Sequence, residues 1–86
     1  MSSGKVQAGR SDLKAARVKL GMDQEQLAKA AGLHPNTVVR FETATVAPHE
    51  STRNAIQQAL EARGIVFTNG DLPGFYFDKS KVIIPT

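Results

Sequence analysis

The sequence lacks the residues and apolar runs on which several classes of protein depend. None of its 86 residues is cysteine, which excludes a disulfide framework, a thiolate metal site and a catalytic thiol. The longest apolar runs, residues 64–67 and 82–84, are far shorter than the roughly 20 residues of a membrane-spanning helix. The N-terminal segment has no apolar stretch of the kind found in a secretory signal. We therefore expect a soluble, unexported, cytoplasmic protein without a membrane partner.

Residues that carry enzymatic chemistry are also scarce. The two histidines, His34 and His49, are not at a His-x-x-x-His metal spacing, and the chain has no Gly-rich phosphate loop. The glutamates at positions 25, 50 and 61 are typical of solvated helix faces. The sequence therefore predicts no enzymatic activity, no metal and no cofactor.

Length and charge set further bounds. A chain of 86 residues has room for one small domain with a modest core. The formal net charge of +3 and the sequence pI near 9.6 allow contact with a polyanion, and they fit ordinary surface charge equally well. Charge alone does not decide between these readings.

Residues 23–42 carry the clearest local signals, beginning with a short helix. Asp23 is a suitable N-cap, and Gln26 three residues later completes a capping box. Gly32 is placed to end this helix in a left-handed conformation. Its apolar face is formed by Leu27, Ala28 and Ala31.

A second helix begins directly afterwards. Pro35 suits a first helical position, because its missing N–H would have no partner there. Val38 and Phe41 lie three residues apart and are expected to face the core. The positions left on the outer side are Pro35, Asn36, Val39 and Arg40.

Over residues 23–42 the sequence resembles the helix-turn-helix of the Cro/phage-repressor-like (XRE) family of bacterial and phage transcriptional regulators. The resemblance implies a mainly α fold, a four-to-five-helix repressor-like bundle followed here by a C-terminal β-hairpin or small sheet. It also implies a nucleoid-associated repressor or autoregulator that binds double-stranded DNA as a homodimer on an inverted repeat. The matching positions are Gln24, Leu27, Ala28, Ala31, Gly32, Leu33, Val38, Phe41 and Glu42.

The resemblance also implies roles for individual residues. Base readout falls to Pro35, Asn36, Val39 and Arg40. Contacts to the DNA backbone fall to Gln24, His34, Thr37, Thr43, Thr45 and His49. For His34, helix capping alone would equally explain its presence. Arg17 lies on the apolar face of the first helix, and the resemblance implies a structural ion pair between Arg17 and Glu42.

The sequence divides into three segments. Residues 1–9 have no apolar periodicity and are interpreted as a flexible N-terminal arm. Residues 10–63 form the helix-turn-helix domain, with a first helix capped by Ser11 and a fourth helix that ends near Arg63. Residues 64–86 form the C-terminal β segment.

Two segments of this tail, residues 65–68 and 74–78, are rich in β-branched and aromatic residues and predict a hairpin around the turn formers between them. Residues 81–84 predict a third strand. An isolated hairpin is marginal in water, so it needs a cover. The first interpretation is dimerisation through Ile65, Val66, Phe67, Phe75, Tyr76 and Phe77.

Two alternatives to dimerisation remain open for this segment. The hairpin folds onto its own domain, or it holds a second protein. In the latter case the chain is a protein-interaction module such as an antitoxin or an anti-activator.

Overall fold

The computed structural model describes residues 7–44, 49–68 and 74–83. Within these ranges four α-helices precede a two-stranded antiparallel sheet, so the predicted fold class, mainly α with a C-terminal β-hairpin, is confirmed. The elements are α1 (Arg10–Lys19), α2 (Gln24–Ala31), α3 (Pro35–Thr43), α4 (Glu50–Glu61), β1 (Ile65–Thr68), β2 (Gly74–Phe77) and a 3-10 turn (Lys79–Lys81).

The turn between α2 and α3 follows from local sequence signals. Asp23 and Gln26 form the predicted capping box at the start of α2. Gly32 ends α2 with a φ of 71°, and the Leu33 amide donates to the Ala28 carbonyl at 2.8 Å. His34 then caps α3, and Pro35 takes its first position. These caps fix where one helix stops and the next begins.

The core lies between the four helices and the inner face of the sheet. Each element supplies apolar side chains at the spacing of its own period, three to four residues in the helices and two in β1. The buried apolar residues are Ala8, Leu13, Ala16, Leu27, Ala28, Val38, Phe41, Ile56, Ala59, Leu60, Ile65 and Phe67.

The start of the domain differs from the prediction. α1 begins at Arg10 with Gly9 as its N-cap residue, so Ser11 is not the cap. Ala8 is only 5% exposed, and its amide donates to the buried Gln57 side chain at 2.9 Å. Ala8 is therefore packed against the domain, although it lies in the segment interpreted as a flexible arm, because a side-chain carbonyl on α4 fixes it. Residues 1–6 of the predicted arm lie outside the described ranges.

The hairpin packs on its own domain, which was the alternative to dimerisation. Ile65 pairs with Phe77 and Phe67 with Phe75, so these four side chains share one face of the sheet. Ile65 and Phe67 are buried in the core, and the Phe67 and Phe75 rings lie 6.0 Å apart at 55°. The domain therefore covers one face of its own sheet.

The third strand predicted for residues 81–84 is wrong where the structure describes it. Lys81 belongs to the 3-10 turn of residues 79–81, and residues 82–83 belong to no strand. The hydroxyl and the amide of Ser80 both donate to the Asp78 carboxylate. Both hydrogen bonds lower the pKa of Asp78, the hydroxyl's more than the amide's. Such local side-chain bonds compete with extended backbone. The Ile83 amide donates to the Ala62 carbonyl at 3.0 Å, which joins the tail to the end of α4. Residue 84 lies outside the described ranges.

α4 ends at Glu61, two residues before the predicted end, and Gly64 redirects the chain into β1. Gly64 has a φ of +99°, and an added Cβ would lie 2.7 Å from Phe77 Cε1 and 2.9 Å from the Asp78 carbonyl oxygen. Only glycine adopts this backbone conformation readily and leaves room for the tail.

Candidate nucleic-acid interface

The two faces of α3 differ sharply in exposure. Val38 and Phe41 are buried against the other helices, as predicted. On the opposite face the side chains point to solvent, so this face is available to a ligand. The exposed residues are Pro35, Asn36, Val39 and Arg40.

Asn36 and Arg40 are one helical turn apart, which places their side chains on the same side of α3. Within the described part of the chain, neither side chain has a hydrogen-bond partner. An amide and a guanidinium are thus both free to bond to an external ligand.

The first turn of α3 is held by its own cap. The Asn36 amide donates to His34 Nδ1 at 3.0 Å, and the Thr37 amide donates to the His34 carbonyl at 2.9 Å. The His34 side chain itself is exposed. The cap therefore leaves the side chains of Asn36 and Arg40 on a helix whose start is fixed.

The ion pair predicted between Arg17 and Glu42 is present and closely packed. Arg17 Nε donates to Glu42 Oε2 at 2.7 Å and Nη2 donates to Oε1 at 3.0 Å, with only 11% and 1% of the two side chains exposed. A third guanidinium bond, from Nη1, reaches the Met22 carbonyl at 2.6 Å. The pair fixes α3 relative to α1 and to the turn before α2.

Gln24 is also joined to this pair, which the sequence analysis did not predict. Its Nε2 donates to Glu42 Oε1 at 2.9 Å, so Glu42 accepts bonds from two different helices. Gln24 is half-buried at the first position of α2. One N–H of its amide is used within the protein and the second remains for another acceptor.

The other residues predicted to contact the DNA backbone differ in exposure. Thr37 is half-buried, whereas Thr43 and His49 are exposed. The Thr43 hydroxyl already donates to the Val39 carbonyl at 2.8 Å, and a hydroxyl has a single proton to donate. Thr43 is therefore not a donor to phosphate in this conformation. Thr45 lies outside the described ranges.

The predicted dimerisation residues fall into three groups by exposure. Ile65 and Phe67 are buried by their own chain, so assigning them to an interface between chains is wrong: their apolar surface is already covered. Tyr76 and Phe77 are 50% and 43% exposed. Val66 and Phe75 are half-buried.

The described residues hold neither a cluster of metal ligands nor a membrane-spanning helix. No group of three or more His, Asp or Glu side chains there is arranged to hold a metal ion. No helix in the same ranges is long and apolar enough to cross a membrane.

The comparison with known families agrees with this geometry. A helix-turn-helix family model, of the Cro/C1 or XRE-like type, matches residues 13–63, which is more than half of the chain. The match extends from within α1 to just beyond α4 and contains the exposed face of α3. No curated protein matches the chain. The chain therefore belongs to the Cro/C1-type helix-turn-helix family of DNA-binding transcriptional regulators.

Proposed function

We propose that the protein is a sequence-specific repressor or autoregulator that binds an inverted-repeat operator as a homodimer through the major groove. The observation that carries this proposal is the exposed face of α3, where Asn36 and Arg40 lie side by side without partners in the described residues. In a helix-turn-helix, the second helix enters the major groove with its N-terminal residues nearest the bases.

The side chains on this face suit particular bases. Arg40 has two donors for guanine O6 and N7, and Asn36 matches adenine N6 and N7 in the same paired manner. Pro35 and Val39 offer apolar contact to a thymine methyl. Each bidentate contact is worth about 1 to 3 kcal/mol of discrimination against the wrong base.

Contacts to phosphates would set the position of α3 without reading sequence. Gln24 has one amide N–H left beside its bond to Glu42, and it lies at the first position of α2, where an anion is favoured. Thr37 and His49 are further candidates. The bond from Gln24 to Glu42 links this phosphate contact to the end of α3.

A homodimer follows from the small footprint of one domain. A single α3 reaches only a few base pairs, so specific binding needs two half-sites about one helical turn apart. We assign the contact between copies to the outer face of the sheet, where Tyr76 is 50% exposed beside Val66.

Selection from random DNA, followed by footprinting, tests the proposal. We expect a recovered site with two inverted half-sites whose centres are about 34 to 36 Å apart. The same experiment gives the stoichiometry of the complex. Equal affinity for the recovered site and a scrambled duplex would refute sequence-specific regulation.

The dimer contact is tested by Tyr76→Lys. Tyr76 pairs with Val66 on the sheet face opposite the core, so the substitution should leave the fold intact. A lysine ammonium in an apolar contact would be costly to desolvate. We expect Tyr76→Lys to sediment as a monomer at concentrations where the wild type and Ala15→Lys, an exposed α1 control, are dimers. A variant as dimeric as the wild type would rule out this contact.

The exposure of Tyr76 and Phe77 also supports a second function, a protein-interaction module such as an antitoxin or an anti-activator. Truncation at Gly64 is unsuitable as a test, because it removes Ile65 and Phe67 from the core. A second polypeptide that copurifies with the wild type and Ala15→Lys, but not with Tyr76→Lys, would favour this function. It would displace the regulator only if selection also recovered no DNA site.

A further inference from the structure

We propose that His34 donates to a DNA phosphate as a neutral imidazole, with Nδ1 capping α3 and Nε2–H bound to the phosphate oxygen. This inference rests on the proposed function. It joins two roles of His34, helix cap and backbone contact, that the sequence leaves as alternatives.

The cap determines which ring nitrogen carries the proton. His34 Nδ1 accepts from the Asn36 amide at 3.0 Å, and a nitrogen that accepts a hydrogen bond is not protonated. In a neutral imidazole the proton is then on Nε2, which makes Nε2 a donor. A charged imidazolium would set its Nδ1–H against the Asn36 N–H and add a positive charge at the positive end of α3.

The amides in the first turn of α3, at positions 35–37, are not available to an anion. Anions usually bind helix N-termini through free amides of the first turn. Here Pro35 has no N–H, the Asn36 amide is bound to His34 Nδ1, and the Thr37 amide is bound to the His34 carbonyl. The exposed imidazole, next to the exposed face of α3, supplies the donor that these amides do not.

The second histidine of the chain provides an internal reference. His49 is also exposed and also occupies the N-cap position of a helix, but its side chain makes no cap hydrogen bond. In the free protein at about pH 8, above the usual range of histidine titration, NMR should detect a 15N–15N coupling through the bond from Asn36 N to His34 Nδ1. No such coupling is expected at His49. Its absence at His34 as well would overturn the proposal.

Two isomeric methylhistidines at position 34, introduced by chemical synthesis, separate the cap from the contact. Methylation of Nε2 blocks the donor and keeps the cap, so we expect an unchanged unfolding midpoint. Operator binding should weaken by about tenfold for each half-site, or about a hundredfold for the dimer, as for a hydrogen bond to a charged group. Methylation of Nδ1 removes the cap and also leaves Nε2 without a proton in the neutral ring, so it should lower the midpoint by several degrees and weaken binding as well. The isomers have equal mass and nearly equal volume, so the unchanged midpoint of the Nε2 isomer shows that the added methyl group does not itself disturb the fold.

The salt dependence of binding distinguishes a neutral donor from a cation. A neutral imidazole replaces no counterion, so the slope of log K against log salt should be the same for the wild type and the Nε2-methyl variant. A slope weaker in the variant by about 0.9 for each copy, or about 1.8 for the dimer, would mean that His34 binds as a cation and would overturn the proposal.

The remaining outcomes separate this inference from the proposed function. If the wild type prefers its operator and the Nε2-methyl variant binds equally tightly, the phosphate contact alone is refuted. If the wild type prefers no DNA sequence, the proposed function fails. The phosphate contact fails as well if random duplexes then bind the wild type and the Nε2-methyl variant equally tightly. Weaker binding of the variant to selected and random duplexes alike supports the contact, because phosphates carry no sequence information.

Discussion

Replacing Arg40 with alanine is expected to abolish the preference of the protein for its selected operator over a scrambled duplex, while the unfolding midpoint stays close to that of the wild type. Arg40 is exposed and has no hydrogen-bond partner in the described residues, and alanine favours a helix. The loss of one bidentate contact in each of two half-sites removes about 2 to 6 kcal/mol, on the order of 10² to 10⁴ in the specificity ratio. Competition binding with the two duplexes measures this ratio.

A matched control distinguishes lost base readout from lost charge. Lys19→Ala removes one exposed positive charge from the last turn of α1, which we assign no role in DNA binding. It should weaken binding to both duplexes slightly and equally, because a general electrostatic contribution is independent of sequence. If Arg40→Ala behaved like Lys19→Ala, Arg40 would not be a base-reading residue.

Glu42→Ala is expected to lower the free energy of unfolding by about 3 to 5 kcal/mol, because it leaves the charge of Arg17 buried without its partner. Only 11% of the Arg17 side chain is exposed, so water reaches the guanidinium poorly. Gln24 loses its acceptor in the same variant. Stabilities of small domains are about 5 to 15 kcal/mol, so the loss is a large share of the total. Urea unfolding followed by circular dichroism measures it.

The double variant Arg17→Met with Glu42→Leu tests the cause. It removes both charges and fills the space with apolar side chains of similar size, and such replacements of buried ion pairs are often neutral or stabilising. We expect the double variant to be more stable than Glu42→Ala and than Arg17→Met alone. A double variant no more stable than Glu42→Ala would show that packing at these positions, and not an unpaired charge, causes the loss.

The parts of the fold that were predictable follow from neighbouring residues. Asp23 with Gln26, Gly32 and Pro35 each act within a few positions, so they mark the ends of α2 and α3 in the sequence itself. The partner of Arg17 was a different matter. Periodicity placed an arginine on an apolar face, and the family resemblance supplied Glu42.

The errors occur where distant or competing bonds decide the structure. Ala8 is fixed by Gln57, and nothing near Ala8 in the sequence marks that acceptor. Residues 79–81 turn because Ser80 binds Asp78, although the residues that follow favour a strand. The alternation of apolar side chains in β1 predicts that one face of the sheet is buried. It does not predict whether the same chain or another molecule buries it.

The exposed face of α3 was predictable from the helical period, because the opposite face of the helix is apolar. The bond from Gln24 to Glu42 was not, since it joins two helices through side chains that are both typical of a surface. The acceptor of the Thr43 hydroxyl likewise depends on the side-chain rotamer, which residue type does not specify. The sequence pattern thus predicts which face of α3 is exposed. Which side chains keep a free hydrogen-bond donor depends on the three-dimensional structure.

The attachment of the tail to α4 has a consequence for how the domain opens. Ile65 and Phe67 complete the core, and the Ile83 amide binds the carbonyl of Ala62. Detaching the sheet would expose apolar core surface to water, so the sheet and α4 form one cooperative unit. The amide protons of β1 and α4 should therefore exchange with solvent deuterium at similar rates.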